Sequence, residues 1–305
     1  MLSRRRFVLG TAAGAGALLG CLRRTATVRA VTAVVDAVPS RDGAGVALRR
    51  ALGNRALPML DPFLLLDEIH SADPADYQAG FPTHPHRGFE TVSYVLRGGF
   101  AHADDVGNRG LIADGGAQWM TAGRGIVHSE MPQPTATSEL WGLQLWVNLP
   151  AARKMIAPRY QDLGAAAIPE VELGDARVRV VAGAVAGRRG PVDGIDVGPT
   201  MLDATVAAGA VFAQVVPGGH AAFAYVLDGE VALGADGVAV AAGQLAVLGP
   251  GTDVRATSRA GGRMLVLAGA PIGEPVARRG PFVMTTAAEL DQAFADYRAG
   301  RLSGG

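Results

Sequence analysis

The chain has 305 residues, with 28 basic side chains against 28 acidic ones and 49% apolar residues. That length suffices for one large or two medium cores, and the balanced charge excludes nucleic-acid binding driven by a basic excess. Cys21 is the single cysteine, so an intrachain disulfide and thiolate metal clusters are excluded as well, leaving nitrogen and oxygen as metal donors.

Residues 1–30 read as a targeting segment. Ser3-Arg4-Arg5-Arg6-Phe7-Val8-Leu9 is close to the twin-arginine export pattern, and an Ala/Gly/Leu run follows from Val8 to Gly20. The run is too short for a membrane span, which needs about 20 apolar residues. Val28-Arg29-Ala30 offers a small-residue cleavage site; Leu18-Leu19-Gly20-Cys21 offers the alternative of lipoprotein processing, with a lipid anchor at Cys21. The expected location is periplasmic or otherwise extracytoplasmic.

From Val31 the chain alternates short apolar segments with turn residues. Glycine (42 residues) is scattered rather than clustered, as strands joined by tight turns require. Glu90–Leu96 and Leu140–Val147 read as strands. Phe223–Leu227, Asp228-Gly229 and Glu230–Leu233 read as strand, tight turn, strand. Gln244–Leu248 and Met264–Ala268 continue the series. Tyr94-Val-Leu-Arg-Gly98 parallels Tyr225-Val-Leu-Asp-Gly229, and the turn region from Gly115 to Gly125 parallels Gly243 to Gly251. This duplication predicts an all-β chain of two tandem barrels, residues 31–155 and 156–285, with linker loops and the first strands of the second barrel between 150 and 200. A helix and tail occupy 286–305: Thr286 caps, and Glu289, Leu290, Ala293, Phe294 and Tyr297 set one face, ending near Gly300. Lys154, the only lysine, is read as a product of compositional bias.

Two residue pairs carry the chemistry, His84 and His86 in PTHPHRGFE and His128 and Glu130 in GRGIVHSEM. On a strand, positions i and i+2 look the same way, so each segment offers two ligand atoms to one side of its sheet. Converging across a small barrel, they would put three imidazoles and a carboxylate around one divalent transition metal, with positions left for substrate or oxygen. In the second half His220 stands alone, and Asp253 and Arg255 occupy the region of the second pair, so no complete second site is expected.

H84-P-H86-x3-E90-x7-G98 is close to the first cupin motif, and G125-x2-H128 to the core of the second. Together FPTHPHRGFETVSYVLRGG, QWMTAGRGIVHSEMP, LWGLQLWVNLP and APIGEPVARRGPFVMTT resemble the pirin family of bicupins, from about Val31 to the C-terminus. The resemblance implies two cupin (jelly-roll) barrels face to face, with one metal, iron(II) by preference, in the first. Carried over by residue, its ligands fall on His84, His86, His128 and Glu130. It also implies a quercetinase-like dioxygenase opening flavonol-type substrates with O2, for which Glu130 is the candidate base on the reading of the site; the alternative is a non-catalytic metal-binding redox sensor or regulatory interaction protein. The partners implied are a small polyphenol and O2. An export segment is not typical of that family and argues against a nuclear co-regulator role.

Around the site, Pro85 requires an edge strand or a bulge. Glu90 is expected to orient an imidazole or brace a turn, and Arg87 and Arg124 to face solvent. His102, with Asp104 and Asp105, is expected in a solvated loop, and His70 in a structural role. Trp119, Met120, Trp141 and Trp146 are expected in the barrel core, with one or two at the pocket mouth.

Overall fold

The computed structural model describes residues 26–133 and 138–303. The twin-arginine motif and Cys21 lie outside the described residues.

Phe89–Arg97 shows why two barrels form one molecule. Eight of its nine residues are buried, because both faces of its sheet are covered. Ser93 and Val95 face into the first barrel, while Val92 and Tyr94 face the second. The first barrel consists of a seven-stranded sheet, which holds Phe89–Arg97 and Leu140–Asn148, closed by a four-stranded sheet. That smaller sheet runs Phe81–His86, Ile126–Pro132, Gly99–Asp104, Arg109–Ala113. The second barrel is a single ten-stranded sheet folded on itself through the long Ala221–Leu233 strand.

The barrels meet face to face through one apolar cluster that includes Phe63, Trp119 and Leu145 from the first and Met201, Phe223 and Leu265 from the second. Two buried carboxylates tie this layer. Tyr225 donates to Glu68 at 2.5 Å, and Tyr94 donates to Asp203 at 2.6 Å. Each tyrosine opens one copy of the repeated YVLxG segment, so the duplication is also a pseudo-symmetric exchange of hydrogen bonds. Trp141 donates to Glu68 at 2.8 Å, and Arg263 holds Asp203 through two bonds of 2.7 and 2.8 Å. These partners satisfy carboxylates that would be costly to bury alone.

The chain ends cross over. Val31–Asp36, expected in the first barrel, pairs with Gln244–Leu248 of the second. Arg29, inside the expected targeting segment, is 1% exposed and donates to the carbonyls of Gly249, Pro217 and His220 at 2.9, 3.2 and 3.0 Å. Cleavage after Ala30 would remove this anchor, so residues 26–30 belong to the fold. Conversely, Arg159–Leu163, expected with the second barrel, extends the first barrel's sheet beside Ala117–Thr121. The C-terminal arm, Ala277–Arg279, Phe282–Met284 and the helix Ala287–Arg298, returns to the first barrel, where Val283 donates to the Arg87 carbonyl at 3.0 Å. The helix starts as expected, with Thr286 and Glu289 forming a reciprocal capping box.

One expected hairpin does not form. Ala221–Leu233 runs through Asp228-Gly229 as one 13-residue strand, with a register shift between Val226 and Asp228 and Gly229 at φ +68°. The glycine bends the strand from one side of the barrel to the other instead of reversing it. Gly98, at φ +90°, is the matching bend in the first barrel.

Candidate metal centre

Phe81–His86 lies at the edge of the four-stranded sheet, where Pro85 costs no interior ladder bond. It pairs antiparallel with Ile126–Pro132, and the register sets His84 opposite His128. Side chains opposite one another share a face, so His84, His86 and His128 converge inside the barrel. Ring centroids are 4.5 Å apart for His84 and His128, 4.7 Å for His84 and His86, and 5.1 Å for His86 and His128. One nitrogen from each ring falls within 4.8 Å of the others.

The hydrogen bonds fix the tautomers. Nδ1 of His84 is 2.9 Å from the Pro82 carbonyl, and Nδ1 of His86 is 3.4 Å from the Pro281 carbonyl of the C-terminal arm. A carbonyl only accepts, so both Nδ1 atoms carry the proton and both Nε2 atoms present lone pairs. These two Nε2 atoms lie 3.0 Å apart, an arrangement that is repulsive without a shared cation. Both nitrogens of buried His128 lack a hydrogen-bond partner. Burial, reinforced by the neighbouring imidazoles, holds His86 well below its usual range. Burial also lowers His128 to about 4, against the opposing pull of Glu130. Two imidazoles oriented by carbonyls with Nε2 lone pairs inward, and a third buried without a partner, are what a first-row divalent metal requires, so the residues fit such an ion.

The structure brings three of the four expected ligands together, His84, His86 and His128. Glu130 lies outside the 4.8 Å group. The pairing register shifts between His128 and Glu130, and the carboxylate is already engaged, Ser93 donating to Oε1 at 2.7 Å and Gln144 to Oε2 at 3.0 Å. It nonetheless lines the same cavity as His84 and His86, a space of about 620 Å³ that Gln144, Trp146 and Arg278 also border.

Several neighbours differ from expectation. Glu90 points away from the imidazoles: its Oε1 accepts from Thr121 at 2.7 Å, and burial raises it to about 7. Arg87 is buried, donating to the Arg124 carbonyl and pairing with Asp296 of the helix at 2.8 Å. His102 is no loop residue; it lies buried in Gly99–Asp104, opposite Glu130, stacked on Tyr160 at 5.4 Å. Asp104 caps the adjoining turn by accepting from the Asn108 backbone at 2.8 Å. His70 stacks on Trp141 at 4.2 Å, in the structural role expected. Trp119 and Trp141 lie between the barrels, and Trp146 alone of the three tryptophans borders the cavity.

Sequence reasoning also missed Lys154. Its Nζ, buried, donates to the carbonyls of Gly88 and Val283 and to Asn148 Oδ1, at 2.8, 3.1 and 2.7 Å, and burial lowers it to about 8. It fastens the C-terminal arm beside the centre. A lone lysine in an arginine-rich chain was the available signal.

Two cupin barrels sharing one apolar layer, the first holding a three-histidine centre that can bind a divalent metal, define a bicupin. The chain belongs to the pirin family: residues 45–147 match the pirin domain and residues 201–303 the pirin C-terminal cupin domain. It is 46% identical to a pirin-like protein of Caulobacter vibrioides over 276 residues, covering 90% of this chain and 99% of that one. It is 44% identical over 271 residues to a Pseudomonas aeruginosa protein that bears a provisional name as a quercetin 2,3-dioxygenase, covering 87% and 95% of the two chains. Among solved structures, a quercetin 2,3-dioxygenase from Acinetobacter baumannii superposes with a TM-score of 0.84 at 32% identity, covering 92% of this chain and 99% of that one.

Proposed function

We propose that the chain is a metal-dependent dioxygenase that opens flavonol-type, quercetin-like substrates with O2, its resident metal being iron(II). The observation that carries this reading is the pair of Nε2 lone pairs 3.0 Å apart, with His128 beside them, on the wall of a cavity large enough for an aromatic substrate. The names of the Pseudomonas and Acinetobacter relatives support the reaction type.

His84, His86 and His128 would hold the ion, which supplies Lewis acidity toward the substrate's hydroxyl and a place for O2 beside it. The carbonyls of Pro82 and Pro281 keep two of the rings in the binding tautomer. Glu130 would add a carboxylate to the donor set, or would accept the substrate's hydroxyl proton from its place on the wall. Ser93 and Gln144 hold it ready for either role. Trp146 supplies an apolar wall.

The test is anaerobic loading with Fe(II), addition of quercetin, and admission of air. Oxygen uptake with loss of the flavonol absorbance, abolished together with metal content in His128→Ala, is the expected result. Stoichiometric metal binding without turnover of any polyphenol would overturn the enzyme reading in favour of a metal or redox sensor.

Export is a further proposal, resting on the N-terminal sequence alone. A reporter fused to residues 1–35 that stayed in the cytosol would overturn it.

A further inference from the structure

Two adjacent arginines of the C-terminal arm have different fates. Arg279 is spent on Asp291 at 2.6 Å. Arg278 borders the cavity, its guanidinium carbon 4.6 Å from the centroid of the Trp146 ring. One of its nitrogens, Nη1, donates to the Leu64 carbonyl at 3.1 Å. Among the described residues no carboxylate lies within ion-pairing distance of it. The cavity's three acidic groups are engaged elsewhere: Arg50 holds Asp67 through bonds of 2.8 and 2.7 Å and Asp42 at 2.8 Å, and Glu130 accepts from Ser93 and Gln144. Arg278 is therefore a cavity guanidinium held in place without a direct ion pair, Asp67 and Asp42 acting on its charge only from beyond that distance. Trp146 in turn lies 5.4 Å, ring to ring, from the metal-binding imidazole of His86, so the arginine and the centre flank one indole.

We propose that Arg278 is a specificity determinant that selects aromatic substrates carrying an anionic oxygen, a carboxylate or an ionised hydroxyl, on the ring lying farther from the metal. This deepens the proposed function and rests on its premise that the cavity takes an aromatic ligand. A guanidinium fixed on an indole face and tied at one nitrogen loses little freedom on binding, and its remaining N–H groups form the planar fork that a carboxylate accepts. Neither Arg87 nor Arg124, the arginines nearest the ligand pairs in sequence, lines the cavity, and Arg87 is buried against Asp296 and the Arg124 carbonyl.

The test uses Zn(II)-loaded protein, so that binding is read without oxidation. Calorimetric Kd values are measured for a flavonol with a carboxylate on its pendant ring, for the methyl ester of the same molecule, and for benzoate and methyl benzoate. The carboxylate should bind about tenfold tighter than its ester, and the ratio should shrink as salt is raised. Arg278→Gln should bring the ratio close to one while leaving the ester's Kd and the zinc content unchanged, and Arg278→Lys should keep part of it. A wild-type ratio near one, or a ratio that survives in Arg278→Gln, would overturn the inference. If benzoate binds with dependence on Arg278 but flavonols bind in neither form, the inference stands and the flavonol reading fails. If neither class binds, the inference fails too.

Discussion

In the first barrel, the strands Phe81–His86 and Ile126–Pro132 turn His84, His86, His128 and Glu130 inward. In the second, Val211–Val215 and Asp253–Thr257 pair in the same antiparallel way, but turn Phe212, Val254 and Ala256 inward. The residues that looked like remnants of a ligand pair sit at the alternate positions: Arg255 is exposed and Asp253 partly so. One barrel is therefore hollow, with a cavity of about 620 Å³ that holds the histidines, and the other is filled by an apolar cluster of valine, leucine and alanine with Phe212 and Met264. The frame does not depend on the centre. A barrel keeps its shape either by filling its interior with side chains or by bracing the walls around a site, and the bracing requires parts that the filled barrel does without.

The sharpest way to break this comparison is to cut one clamp on each barrel. Lys154 fastens the C-terminal arm to the first barrel, and Arg29 fastens the N-terminal strand to the second, each through three oxygen acceptors. Lys154→Met and Arg29→Met each remove a buried donor from those acceptors, of which the Pro217 carbonyl keeps another, the His220 N–H, and each should cost roughly 2–4 kcal/mol in urea unfolding. Only Lys154→Met should also weaken metal binding, because the arm it holds carries the Pro281 carbonyl that orients His86. Equal loss of metal affinity in both variants would show that the centre draws on the whole molecule rather than on its own barrel.

Acid should separate the barrels next. An unfolded His128 takes a proton near pH 6.5, whereas in the fold burial delays it to about 4. Across that window the unfolded state holds the extra proton, so apo stability rises with pH and falls as acid is added. The slope is about 1.4 kcal/mol per pH unit for one such group. In chelator-treated protein, urea midpoints should drop from pH 6.5 to pH 4, and less steeply in His128→Leu, which converts the site toward the apolar filling of the second barrel. An unchanged slope would mean that His128 is not buried neutral.

The repeats, the capped helix and the two inward-facing residue pairs were legible because strand and helix periods place side chains by local geometry. The three histidines needed only that geometry plus one antiparallel register. Glu130 needed more: its placement depends on a register shift and on Ser93 and Gln144, both remote in sequence. Lys154, Arg29 and the crossing of the chain ends depend on contacts more than a hundred residues away, which no local pattern encodes. Asp228-Gly229 misled because a glycine with positive φ serves a bend as well as a reversal. His102 misled because acidic and glycine neighbours look solvated, although the strand carrying it faces the barrel interior.

Glu90 gives the finest probe, because it lies on the same strand as Ser93 but on the opposite face, toward the second barrel. Burial raises it from 4.5 to about 7, although the Thr121 hydroxyl favours its charged form. Between those values the folded state binds the extra proton. This group's contribution is therefore complete below pH 4.5 and is lost as pH rises through 7, the reverse of His128. Glu90→Gln keeps an acceptor for Thr121 and removes the charge. It should match the wild type at pH 4 and exceed it by up to about 3 kcal/mol at pH 8, where the ionised carboxylate of the wild type is strained. Because Glu90 does not face the imidazoles, metal content should be unchanged. A loss of metal in Glu90→Gln would place that side chain in the centre's support after all, and would mean that the two faces of this strand are not independent.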